Sequence, residues 1–135
     1  MIEILKADSI IDKRGELIPI EFEKIFAFKP VRFFYIKDVP IGTMRGGHAH
    51  RDTIQVYLII HGRINVAVYK EKLNETSFKG EVYTLTKNQM CLIPAMTWTE
   101  EWFYEPGTIL AVFCSHPYHE SEYIRDFEEY KAIYL

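Results

Sequence analysis

Short runs of β-branched and aromatic residues, each closed by proline or glycine, recur along most of this chain and constrain its fold more than any other feature. Residues 17–22 follow a turn at Asp12-Lys13-Arg14-Gly15, and residues 31–36 start after Pro30 and end near Pro40. Residues 53–60 and 63–69 flank His61-Gly62 and read as a hairpin with a tight connection. Its second arm alternates, with Ile64, Val66 and Val68 on one face and Asn65, Ala67 and Tyr69 on the other. Residues 81–85, 89–93, 97–104 and 108–115 supply further strands, punctuated by Pro94 and Pro106-Gly107. The polar stretch 74–80 reads as an exposed loop. The tail, 122–135, changes period: Tyr123, Phe127, Tyr130 and Tyr134 are spaced for one face of a short helix, where packing is their simplest role. The pattern is that of an all-β antiparallel sandwich or small barrel with a C-terminal helix. The mouth of such a barrel can hold one small ligand.

Composition narrows the classes. The 135 residues fit one domain spanning 1–135, with no linker, low-complexity tract or repeat. Hydrophobic residues make up 48%, enough for a core. The net charge of −3 argues against a general nucleic-acid binder but leaves room for a small anion held by a few arginines. No apolar run reaches the ~18 residues of a membrane span, and the first residues lack the apolar core of a signal peptide. Cys91 and Cys114 sit in apolar strand-like runs and read as buried free thiols in a reducing cytoplasm.

Chemistry concentrates in Gly42-Thr43-Met44-Arg45-Gly46-Gly47-His48-Ala49-His50. Strand side chains alternate faces, so His48 and His50 project to one side. Two imidazoles beside Arg45 and a Gly-Gly pair point to acid–base chemistry or metal binding. Two imidazoles this close disfavour each other's charged form, leaving at least one neutral and able to act as a base at pH 7.

The order Gly42, five residues, His48-Ala49-His50, four residues, Gln55, six residues, Gly62 resembles the first motif of the cupin superfamily, where the Gln55 position is usually glutamate. Asn88, Pro94-Ala95-Met96 and Thr99 resemble the second motif, which in metal-binding cupins ends in histidine. An amide and a hydroxyl at these two positions leave too few good ligands for stable divalent binding, so no metal or other cofactor is expected. Arg45-Gly46-Gly47-His48-Ala49-His50 with Gln55, and Tyr123-Ile124-Arg125-Asp126-Phe127 near the end, narrow the likeness to the sugar-nucleotide 3,4-ketoisomerases of the FdtA and QdtA type. Asp12 to Leu17 and the Phe34-Tyr35 strand fit the same pattern.

That resemblance implies a cupin jelly roll, often a homodimer, acting without metal on a dTDP-linked 4-keto-6-deoxyhexose in deoxysugar biosynthesis in the cytoplasm. The implied reaction moves a carbonyl from C4 to C3 through an enediol. His50 is then the carbon acid/base and His48 serves the oxygens, although spacing does not rank the two and the reverse assignment stays open. Tyr35 is a candidate to point its hydroxyl at the sugar. Arg45 and Arg14 are candidates for the pyrophosphate, because guanidinium groups match phosphate oxygens in a fork. Arg14 is placed to reach a partner subunit. Gln55, Gly47, Trp98 and Thr99 complete the expected substrate wall. Three alternatives remain: a sugar-nucleotide epimerase of related mechanism, a non-catalytic nucleotide-sugar-binding cupin, and a metal-dependent oxygenase, which Gln55 and Thr99 weaken.

Overall fold

The structure, a computed structural model, describes residues 2–74 and 77–133. The chain runs β1 (Ile4–Lys6), β2 (Ile10–Asp12), β3 (Gly15–Leu17), α1 (Phe22–Ile25), β4 (Arg32–Ile36), β5 (Thr43–His50), β6 (Gln55–His61) and β7 (Arg63–Asn74). It continues through β8 (Ser77–Thr86), β9 (Gln89–Ile93), β10 (Trp98–Phe103), β11 (Ile109–Cys114), a 3-10 turn at Glu120–Glu122, β12 (Tyr123–Ile124) and α2 (Phe127–Ala132). Two five-stranded antiparallel sheets form, ordered β1-β9-β6-β11-β4 and β12-β5-β10-β7-β8, while β2 and β3 pair only with each other. This is the double-sheet jelly roll with a short terminal helix that the sequence predicts.

Three apolar clusters explain the layers. The inner faces of the two sheets meet over Tyr57, Ile59, Ile64, Val66, Leu85, Phe103, Leu110 and Val112. Outside the first sheet, Val56, Leu58 and Ala111 are covered by the segment carrying Ile18, Ile20, Phe22 and Phe28. Outside the second sheet, α2 lays Phe127 and Tyr130 on Ala49, Trp98 and Ile124. β6 is therefore covered on both faces, which is why its sequence is continuously apolar instead of alternating. Cys91 and Cys114 are buried free thiols, as expected. No helix among the described residues is long and apolar enough to cross a membrane.

Four local expectations change. Residues 53–69 do not form a hairpin: β6 pairs with β9 and β11, whereas β7 pairs with β8 and β10, so Gly62 turns the chain from one sheet into the other. Gly62 has φ +78°, and a Cβ there would lie 2.8 Å from the Thr108 Cα, so only glycine fits this corner. Of the stretch 74–80, residues 75 and 76 lie outside the described residues, and the rest is not a loop: the ladder between β7 and β8 continues to Asn74 and Ser77 through two register shifts, because backbone pairing does not require apolar side chains. Residues 17–22 leave strand pairing after Leu17 and enter α1 at Phe22. The tail helix starts only at Phe127, where the Asp126 carboxylate accepts a hydrogen bond from the Glu128 N–H and caps it. Tyr123 is on a strand, paired with His50 of β5, and Tyr134 lies outside the described residues.

Candidate active site

β5 runs through the second sheet between β12 and β10. Ala49 turns outward beneath α2 and is fully buried there, so its neighbours His48 and His50 turn inward. Their rings lie 4.9 Å apart, edge to face, and each packs on the Tyr123 ring, at 5.0 Å for His48 and 4.4 Å for His50. Pairing with β10 slips between Thr99, which faces His48, and Glu100, which faces Gly46. Gly47 is the extra residue of this bulge. It and Gly46 both have positive φ, +72° and +80°, which accounts for the Gly-Gly pair.

An open cavity of about 370 Å³ lies beside this bulge. Its lining includes His48, Arg45, Gln55, Tyr57, Glu101 and Arg125. Arg32, Phe34, Tyr118 and Tyr123 also border it. His50 sits behind His48, 5% exposed, with neither ring nitrogen hydrogen-bonded; His48 Nδ1 is likewise unpartnered. Burial pushes both imidazoles down to about 4. Arg125 adds to this at His48, and the neighbouring His48 adds to it at His50. A backbone hydrogen bond at Gly46 and the charge of Glu120 pull His48 the other way without prevailing. Both rings are therefore neutral near pH 7, the form that accepts a proton.

The mouth is aromatic and cationic. Arg32 donates to the Tyr123 hydroxyl at 3.0 Å and stacks between Phe34 and Tyr118. Arg125 lies 4.2 Å above the Tyr123 ring and grips both carboxylate oxygens of Glu120, which holds that acid down to about 2. Arg45 has no acid partner within 4 Å among the described residues. Arg32 likewise pairs with no acid among the described residues, so Arg45 and Arg32 are the lining cations left to meet an anionic ligand.

The sequence-derived residues divide. His48, Arg45 and Gln55 share the cavity, with His50 against it. Gln55 also donates to Cys114 Sγ at 3.4 Å. Thr99 lies behind the wall, 2% exposed and 3.1 Å from the Tyr57 hydroxyl. Gly47 shapes the bulge and does not line the cavity. Trp98 does not either: strand alternation sends it outward, where it packs on Phe127 and Tyr130 and donates to Glu100. Tyr35 borders the cavity, but alternation along β4 aims Arg32, Phe34 and Ile36 inward; its ring packs beside Phe33 and is 56% exposed. Arg14 is far from the histidines within its own chain, ion-paired with Asp12 at 2.6 Å on the β2–β3 hairpin.

Sequence reasoning passed over Arg32, Tyr57, Glu101, Tyr118, Tyr123 and Arg125. Tyr123 and Arg125 lie in the very tail motif that carried the resemblance, but helical spacing hid them. Glu101 shares its phase with Thr99 and Phe103 along β10, a signal that an acid points inward. Among the described residues no group of three or more His, Cys, Asp or Glu is placed to hold a metal ion.

Comparison with known proteins settles the family. Residues 1–134 match the family model described as FdtA, WxcM-like, C-terminal. The chain belongs to this family. It is 27% identical over 129 residues to the TDP-4-oxo-6-deoxy-alpha-D-glucose-3,4-oxoisomerase of Aneurinibacillus thermoaerophilus, covering 96% of this chain and 89% of that protein. A 3,4-ketoisomerase from Helicobacter canadensis superposes with a TM-score of 0.86 at 31% identity, covering 98% of this chain and 96% of the other. A histidine-to-asparagine variant of the 3,4-ketoisomerase QdtA from Thermoanaerobacterium thermosaccharolyticum, solved with TDP-4-keto-6-deoxyglucose, gives a TM-score of 0.87 at 26% identity, covering 98% and 92%.

Proposed function

We propose that this FdtA-family chain is a sugar-nucleotide 3,4-ketoisomerase that moves the carbonyl of a TDP-linked 4-keto-6-deoxyglucose from C4 to C3. The observation that carries the reading is the pair of buried, neutral imidazoles, His48 and His50, set against a cavity whose mouth is lined by arginine and aromatic rings. The C3 hydrogen is acidified by the neighbouring ketone. The imidazole pair takes this proton, the C3–H electrons form the C3=C4 bond of an enediol, and the pair returns the proton to C4. Neutral rings are needed for the first step, and their burial keeps them so. A carbonyl at C3 and a hydroxyl at C4 result, with no change in overall composition. Arg45 meets the diphosphate, and the aromatic rings at the mouth pack against sugar and base. No feature of the cavity favours an epimerase or a non-catalytic binder.

The reading extends to a homodimer working in the cytoplasm. The β2–β3 hairpin joins neither main sheet and exposes Ile10, Ile11 and Leu17. Val31, Phe33 and Tyr35 are exposed on the outer face at edge strand β4. A second copy is the natural cover for these apolar surfaces, and it brings Arg14 to the interface. Sedimentation analysis tests the assembly. Activity is tested by proton NMR of TDP-4-keto-6-deoxyglucose with the protein in heavy water. Conversion to the 3-keto isomer supports the reading, with deuterium at C4 to the extent that the imidazolium exchanges with solvent before it returns its proton. Label at C5 points to an epimerase, and TDP binding without label exchange to a non-catalytic binder.

A further inference from the structure

Glu101 is the one buried acid in the cavity wall that the scheme above leaves without a task. It is 3% exposed, and no lysine or arginine pairs with it among the described residues. Burying a carboxyl without a cation is costly, so its presence asks for a reason beyond packing. Its surroundings are built to hold it. The Tyr57 hydroxyl donates to Oε1, and Thr99 hydrogen-bonds the carboxyl from the same strand. Opposite, Gly46 leaves a gap that the carboxyl fills: a Cβ there would collide with Oε2 and lie 2.9 Å from Cδ. The carboxyl and the His48 ring line one cavity from adjacent strands, β10 and β5.

Resting on the ketoisomerase reading, we propose that Glu101 is a catalytic residue that carries the hydroxyl proton between the two substrate oxygens, leaving the imidazole pair to the carbons. The reaction needs such a carrier. As the imidazole takes the C3 proton, the C3–H electrons form C3=C4 and the C4 carbonyl electrons move to O4. The Glu101 carboxylic acid gives its proton to O4, producing the enediol and a carboxylate. The carboxylate then takes the proton of O3 as the C3 carbonyl forms, and C4 receives the proton held by the imidazolium. Glu101 ends protonated and the imidazole neutral, as they began; C3 is oxidised and C4 reduced, with no outside reagent. A carrier must be able to start as the acid. Burial raises the Glu101 carboxyl to about 7, opposed by its hydrogen bonds from Tyr57 and Thr99 and by the charge of Arg45. The groups facing it are Tyr57 on β6, Thr99 on its own strand, Arg45 and His48 on β5, and Cys91 on β9.

Two variants test this beside the wild type, with steady-state kinetics on TDP-4-keto-6-deoxyglucose from pH 5 to 9, TDP binding by calorimetry, and thermal melts. In the wild type kcat falls above about pH 7 as Glu101 loses its proton. Glu101→Gln should lower kcat by about a hundredfold or more, change KM and TDP affinity little, and abolish that limb. Tyr57→Phe removes a hydrogen bond that favours the carboxylate, so the limb should move to higher pH. This second variant decides the matter if Glu101→Gln fails to fold. A Glu101→Gln enzyme with wild-type kcat and an unchanged limb, or a Tyr57→Phe enzyme whose limb stays in place, overturns the role of Glu101 alone. A wild type that does not isomerise the sugar overturns the parent reading as well.

Discussion

The neutrality of His50 has a consequence for stability that can be measured without substrate. In the folded protein His50 takes a proton only near pH 4, whereas the ordinary value, that of an unfolded chain, is 6.5. Between these values the unfolded state binds the extra proton, so stability falls as pH drops from about 6.5 to about 4. The drop from 6.5 to about 4 is worth about 3 kcal/mol at 1.36 kcal/mol per pH unit. Glu101 runs in the opposite sense: its raised value favours the folded state at low pH, a contribution lost as pH rises through about 7. The total curve therefore mixes signs, and the difference between two proteins is the cleaner quantity. His50→Asn removes one titration and leaves Glu101 in place. The stability of the wild type minus that of the variant should fall by about 2–3 kcal/mol between pH 7 and pH 4. With a urea m-value of about 1–3 kcal/mol per molar, that is a relative midpoint shift of about 0.7–3 M. Urea melts followed by tryptophan fluorescence at pH 7, 6, 5 and 4 supply it. Two curves that stay parallel across this range would refute the claim that His50 is held neutral by burial.

Arg45→Ala should raise KM for the TDP-sugar about tenfold or more with a smaller effect on kcat, and weaken TDP binding in calorimetry, because a charged hydrogen bond to phosphate is worth about 1.5–3 kcal/mol. Gly62→Ala should destabilise by about 3 kcal/mol or more, since it adds left-handed strain to a clash with the Thr108 backbone, whereas Gly15→Ala, with φ +127° but open space around it, should meet only the backbone strain. Thermal melts of the two compare them. Trp98→Phe should lower the melting temperature by loosening the packing under α2 while KM and kcat of the folded enzyme stay near wild type; a large KM change would place Trp98 in the substrate site after all.

The all-β class and most strands were legible because apolar alternation and Gly/Pro punctuation report burial directly. The corner at Gly62 was not. Two strands and a short glycine turn look alike whether they fold back as a hairpin or pass between sheets, and only the partners that β9, β10 and β11 later provide decide it. The imidazole pair was legible because a two-residue period places both rings on one face. Tyr123 was missed for the converse reason: its distance from Phe127 and Tyr130 mimics a helix, while the Asp126 cap begins the helix four residues later than the spacing proposed. Trp98 was drawn into the site by type, and strand phase turned it outward; Tyr35, named through the resemblance, borders the cavity from an outward-phased position on β4. Glu101 obeyed the same phase rule and could have been found by applying it to β10.

The Tyr123–Arg125 wall is attached to the scaffold by only two residues of ladder pairing, on the outer edge of β5. Everything else that forms the sandwich precedes it. A nascent chain can thus assemble both sheets while β5 is still an open edge and the imidazoles lack a lid of aromatic carbon. The aromatic wall of the pocket is complete only once this edge is paired, and Ile124, fully buried between Tyr123 and Arg125, ties that wall to the packing beneath α2.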